Sequence, residues 1–257
     1  MLNFRNTNII FILALVVIAA LATRYPVPLY SYPILLLAYL GILFYGSYYV
    51  GSNFFMKVLC RGNRQARQIA ISFDDGPANA HTPEILQVLK RYSVPAVFFC
   101  IGKNIAGKET LLQQIKEEGH IIGNHSFSHH FWFDLFSTRK MMADVQMMSE
   151  TVREAIGVRP LLFRPPYGVT TPNMRNVMDK GGFTAVGWSI RSLDTVIKEE
   201  EKLFQKINDQ LQPGAIVLLH DTSKTTLNVL PRFIESARSR GYEFVSIDKL
   251  LNLQPYA

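Results

Sequence analysis

The sequence predicts an α/β fold: a largely parallel sheet closing towards a barrel, carried behind an N-terminal membrane segment. Three observations point there. From Gln68 onward, seven short apolar runs alternate with amphipathic helical stretches, the pattern of strands joined by outer helices. Nearly every unusual polar residue falls where one of those runs ends, and in such barrels chemistry gathers at the C-terminal ends of the strands. Finally, the first 67 of the 257 residues contain no Asp or Glu.

That N-terminal part holds only Arg5, Arg24, Lys57, Arg61, Arg64 and Arg67 as charged side chains. The net charge of +7 is therefore almost entirely its property, because basic and acidic residues nearly balance beyond it. Such a balance points to a membrane flank and away from nucleic acid. Ile9 to Ala22 is an uncharged apolar run, and Ala20-Leu21-Ala22 supplies a small-x-small cleavage pattern, so the first segment reads as a span or a signal segment. Val27 to Met56 carries no charge either, a length that suits a membrane helix. The expected organisation is an anchor over 1–56 with spans near 8–23 and 27–50, a basic linker over 57–67 and a catalytic domain over 68–257. Which side of the membrane the domain occupies stays open, since large domains translocate regardless of flanking charge.

Apolar runs of strand length lie at 69–73, 95–101, 120–124, 161–164, 184–189, 215–220 and 243–247, with helical patterns near 83–92, 108–118, 138–156, 173–180, 199–211 and 226–240. Gly119, Gly157, Gly181 and Gly241 follow helical stretches, where a left-handed cap is wanted. Thr82 before Pro83 reads as an N-cap with Pro in the first turn. Two cysteines are too few for a disulfide framework; Cys100 is expected as a buried free thiol.

The strand ends carry the functional expectations. "FDDGP" places Asp74 and Asp75 side by side; strand neighbours face opposite ways, so both can serve one site only if the chain turns, and Gly76-Pro77 provides a turn. His125 and His129 stand four apart, a spacing that on a helical turn presents two imidazoles to one metal. With a nearby carboxylate they make a three-ligand set; His130 is accessory. Arg164 ends an apolar strand and needs an anion, for which the acids of the first strand end are available. His220 tips "AIVLLHD", with Asp194 placed to brace its imidazole and Asp221 expected to face away. Of Phe131, Trp132, Phe133 and Trp188, two are expected in the core.

These five segments, in this order, resemble the polysaccharide deacetylase family, carbohydrate esterase family 4, over roughly residues 68–250. The resemblance implies a distorted (β/α)7 barrel and a metal-dependent deacetylase. It assigns Asp74 as general base, Asp75, His125 and His129 as metal ligands, and Arg164 as the residue that orients Asp74. It gives the backbone N–H of Tyr167 to the oxyanion, Leu218 to the pocket for the acetyl methyl, and His220, partnered by Asp194, to general acid catalysis. Trp188 is a further substrate-contact candidate. The fourth motif departs: the family often shows Asp-x-x-Asp-Trp, where this chain has Arg191, Ser192, Leu193, Asp194 and Thr195. An Asp-His-His set suits zinc, with cobalt, nickel and iron as other occupants. The implied substrate is an N-acetylated glycan, such as peptidoglycan or another N-acetylglucosamine polymer, handled at a bacterial-type cell membrane. Two other readings fit the same residues: deacylation or deformylation of a lipid-linked amino sugar, and a silent carbohydrate-binding protein. Oligomeric state is not legible.

Overall fold

The computed structural model describes residues 2–257. Two apolar helices come first, α1 (Phe4–Ala22) and α2 (Ser31–Tyr48), both long and apolar enough to cross a membrane. They pair with each other: Tyr39 donates to Asn8 Oδ1 at 2.7 Å, and Phe11 stacks on Tyr39 at 4.2 Å. Their outer faces leave Ile10, Val16, Leu37 and Phe44 more than half exposed, unlike helices of a soluble core.

Eight strands then build one parallel sheet: β1 (Gln68–Asp74), β2 (Ala96–Cys100), β3 (Ile121–Asn124), β4 (Leu162–Phe163), β5 (Thr184–Ala185), β6 (Ile190–Arg191), β7 (Ile216–His220) and β8 (Glu243–Phe244). The order is β5-β4-β3-β2-β1-β7-β6, with β8 beside the start of β1. Helices α3 (Thr82–Tyr92), α4 (Glu109–Glu117), α5 (Thr138–Ile156), α6 (Pro172–Gly181), α7 (Glu200–Asp209) and α8 (Lys224–Ser239) fill the crossovers, and α9 (Ile247–Leu251) follows β8. The sheet curls into a half-barrel, the expected (β/α)7 arrangement with an open seam.

The expected run 184–189 is not one strand. Only its start is strand, β5, and β6 begins just beyond it at Ile190, because the carbonyls of Val186 and Gly187 turn to the guanidinium of Arg164. Within 57–67, expected as a basic linker, the chain crosses the seam: Leu59 bridges to Val186 and Arg61 to Ala215. Val50, Met56 and Val58 are buried in a core cluster with Phe133, Phe163 and Met174. The apolar hairpin is thus bolted to the domain.

Alternation along the strands decides what faces where. Ile69, Ile71 and Phe73 of β1, with Val217 and Leu219 of β7, belong to the core under the outer helices, whereas Ala70, Val97, Phe99 and Ile216 fill the barrel interior. Each fully buried Ile or Phe there contributes about 1.5–3 kcal/mol. Period two therefore sends Ser72 and Asp74 inward, as it does Leu218 and His220 of β7. The register pairs Ser72 with Leu218 and Asp74 with His220, so sequence-distant residues form one inward layer.

Two local expectations need correction. Thr82 is the first residue of α3, not its cap; its hydroxyl accepts from Ala78 N–H and donates to Asp221. At the end of α6 the left-handed residue is Gly182, and Gly181 is still helical. Cys100 is a buried free thiol as expected, and Cys60 is also free.

Candidate active site

Asp74 ends β1 on the inner face, 3% exposed. A straight strand would throw Asp75 outward. It does not, because Asp75 itself takes φ 76°, a left-handed conformation that Asp tolerates better than most residues. The turn thus begins one residue before the Gly76-Pro77 pair expected to make it. Asn104 holds it by donating to the Asp75 carbonyl at 2.8 Å. A Cβ on Gly76 would come within 2.0 Å of Asp221 Oδ2, so only glycine fits. Asp221 lies on the outer side, as expected, buried and held by Thr82.

His125 and His129 converge, though not on a helix. Residues 125–130 form a loop in which Ser126 (φ 65°) and His129 (φ 43°) are left-handed. Asn124 anchors it by accepting from Ser126 N–H and donating to Ser149 and the Val145 carbonyl of α5. Asp144 accepts from Phe127 and Ser128 N–H groups. None of these anchors was among the expected site residues, because nothing in a lone Asn or Asp marks such a role. His125 Nδ1 bonds the Arg164 carbonyl at 2.8 Å, which turns Nε2 inward.

Asp75 Oδ1 lies 3.6 Å from His125 Nε2 and 3.6 Å from His129 Nε2. It is buried with no hydrogen-bond partner, and one ligand atom from each of the three residues falls within 4.8 Å of the others. Burial, then the neighbouring His129, drives His125 down to about 3, and burial also lowers His129. Both rings thus stay neutral with lone pairs free. A buried orphan carboxylate oxygen facing two neutral imidazoles fits a divalent metal and leaves positions open for other ligands.

Arg164 is fully buried. Its Nη1 donates at 2.7 Å to both Asp74 Oδ1 and Ser72 Oγ, its Nη2 to Gly187 O at 2.8 Å, and its Nε to Val186 O at 3.2 Å. The guanidinium lies 4.1 Å over the Phe99 ring. Burial pushes Asp74 above the usual carboxylate range, while Arg164 and His220 pull against it. Ser72 went unnoticed in the sequence because a strand serine carries no motif.

On the other wall, Asp194 is fully buried and its Oδ1 sits 2.7 Å from His220 Nδ1. Ser192 donates to Oδ1, and Thr226 Oγ1 and the backbone N–H of His220 donate to Oδ2. Burial favours neutral Asp194, but the bonds from His220, Thr226 and Ser192 outweigh it and hold the acid below its usual range. Burial likewise opposes the imidazolium of His220, yet Asp194 raises it to about 9.

These groups surround one cavity of about 360 Å³, lined by Asp74, Asp75, His125, His129 and His220 with Leu218, Tyr167 and Trp188. Tyr167 is left-handed (φ 59°), and its ring meets His129 edge-on at 4.7 Å. Arg191, Leu193 and Thr195 of the divergent fourth segment also line it. Phe133 is buried, Trp188 packs half-buried against the core, and Phe131 and Trp132 are exposed, so two of the four aromatics are core. His130 lies outside the cavity lining.

Residues 61–186 match the family model described as polysaccharide deacetylase. The peptidoglycan-N-acetylmuramic acid deacetylase of Bacillus subtilis is 33% identical over 194 residues, spanning 74% of this chain and 73% of that protein. The chain belongs to the polysaccharide deacetylase family. Its members' class is hydrolytic, and this chain is a hydrolase of that class. The peptidoglycan-N-acetylglucosamine deacetylase of Listeria monocytogenes is 34% identical over 72% of this chain, which spans only 39% of that longer protein. Among solved structures, the Bc1960 peptidoglycan N-acetylglucosamine deacetylase superposes with a TM-score of 0.75 at 25% identity, over 78% of this chain and 95% of its own. Asp194 and His220 lie beyond the segment that the family model matches.

Proposed function

We propose that this chain removes N-acetyl groups from amino-sugar units of a peptidoglycan-type glycan, using a divalent metal, zinc by donor set, held by Asp75, His125 and His129. The observation that carries the reading is the meeting, around one orphan carboxylate oxygen, of a base held by Arg164 and an acid held by Asp194. The names of the relatives support the substrate class.

Bound there, the ion supplies a Lewis acid for the acetyl carbonyl and makes water more acidic. Asp74, with Oδ1 tied to Arg164, takes a proton from the attacking water through its other oxygen. The N–H of Tyr167 steadies the oxyanion, and Leu218 and Trp188 wall the acyl group and sugar. His220 gives its proton to the departing nitrogen as the C–N bond breaks, leaving acetate and a free amine. The test is acetate release from N-acetylglucosamine oligomers and peptidoglycan, with and without chelator. Chelation and His125→Ala should each abolish activity, and His125→Ala should lose its metal. Full activity and metal content in that variant would refute the ligand assignment.

Acid and base together predict a bell-shaped pH profile. The acid limb lies above the ordinary carboxylate value because Asp74 must be ionised; the alkaline limb falls near 9, where His220 loses its proton. Since the folded value of His220 is raised, the stability from its pairing with Asp194 is full below about 6.5 and gone above about 9. Asp194→Asn should therefore move the alkaline limb towards neutrality, and an unmoved limb would remove His220 as the acid.

The proposal places α1 and α2 in the bilayer as a retained anchor, with the catalytic domain beside it. Both helices are almost wholly unburied by the rest of the protein, and Phe4 at the start of α1 donates its N–H to the Phe54 carbonyl. Resistance to alkaline extraction from membranes tests the insertion. One observation favours a membrane-borne substrate. Ser47 at the end of α2 exchanges bonds with Thr170, donating from its hydroxyl at 2.8 Å and accepting Thr170 N–H at 3.0 Å, three residues from Tyr167. The anchor thus fixes the height of the site, where a flexible tether would let it roam through polymer.

A further inference from the structure

A second groove, of about 420 Å³, lies between the end of α2 and the catalytic cavity. Tyr48 and Tyr49 of the hairpin form one side, and Arg61, Arg64 and Arg191 supply its charge. Among the described residues no Asp or Glu lines it, and none of these three arginines has a carboxylate within ion-pair distance. Arg61 spends one N–H on Gln212 at 2.6 Å. Burial and the adjoining charge of Arg64 both work against its guanidinium, which is the situation an anion would relieve. Trp188 and Arg191 belong to the walls of both spaces, and Arg191 stands 6.0 Å from the Trp188 ring.

Guanidinium groups that line one groove with no acid to pair them make a site for a phosphate, whose oxygens match their fork geometry. Tyrosines at the end of an apolar helix stand where lipid headgroups lie. A neutral polymer would need neither feature. We propose that this groove binds the phosphate of a lipid-linked glycan, presenting the amino sugar from the membrane surface with its N-acyl group in the catalytic cavity. The inference rests on the deacetylase reading and names the form of its substrate.

The test uses the full chain in nanodiscs, with Arg61→Gln and Arg64→Gln. Substrates are a polyprenyl-diphosphate-linked N-acetylglucosamine and a neutral N-acetylglucosamine oligomer. KM for the lipid-linked substrate should rise about ten-fold per arginine lost, the scale of one charged hydrogen bond, while kcat and the neutral oligomer are unaffected. Inorganic pyrophosphate should compete in the wild type and more weakly in the variants. An unchanged KM for the lipid-linked substrate, or equal losses on both substrates, overturns the proposal. If the wild type releases acetate from neither, the deacetylase reading fails and the groove is still tested by binding. Fluorescence of the chain's two tryptophans, Trp132 and Trp188, should report the lipid-linked sugar binding about ten-fold more weakly to Arg64→Gln; equal affinity refutes the site. Equally tight binding of plain phosphatidylglycerol vesicles also refutes it, by showing a general contact with anionic lipid.

Discussion

Asp74→Asn is expected to lower kcat by about two to four orders of magnitude, the usual size of a general-base contribution. Asparagine keeps the shape and an acceptor for the Arg164 Nη1 bond, but it cannot take a proton from water. The three ligand residues are untouched, so metal content should match the wild type. Acetate release measured beside metal analysis separates the two effects. Retention of more than about a tenth of the wild-type rate would remove Asp74 as the base, and loss of the metal would place it among the ligands.

Arg164→Met is expected to destabilise the fold by about 3–5 kcal/mol, because it leaves a buried acid without its counter-charge. Four acceptors lose their donor at once: Asp74 Oδ1, Ser72 Oγ and the carbonyls of Val186 and Gly187. Those carbonyls hold the break between β5 and β6, so the wall carrying Trp188 should loosen as well. Thermal or denaturant midpoints measure the loss. A change under about 1 kcal/mol would show that the ion pair gains little over an apolar contact at this site. Arg164→Lys should recover only part of the stability, since a single ammonium cannot match the fork.

Both predictions concern residues that were legible as strand-end oddities. Asp74, Arg164 and His220 each close an apolar run, and period two then decides which face they take. What the sequence could not show was the backbone that completes the site. The spacing of His125 and His129 suggested a helical turn, yet two left-handed residues in a loop bring them together. The turn that recruits Asp75 is made by Asp75 itself, with Asn104 tying down its carbonyl. Ser72, Ser192, Thr226 and Asn124 hold the functional groups, and short polar side chains of this kind leave no periodic trace.

By itself the sequence determined the alternating α/β layout, the two apolar helices, the pairing of Arg164 with an acid and the convergence of polar strand ends. These follow from local properties: hydrophobic period, residue type at a strand end, and charge that must be compensated once buried. Only the tertiary structure decided that the 184–189 run breaks, that residues 59–61 seal the seam, and that α2 is bonded to the loop after Tyr167. Those outcomes depend on contacts between separate segments, 22 residues apart for Arg164 and Val186 and more than a hundred for the other two, where the free energy of a pairing is set by what the partner offers and not by the local chain.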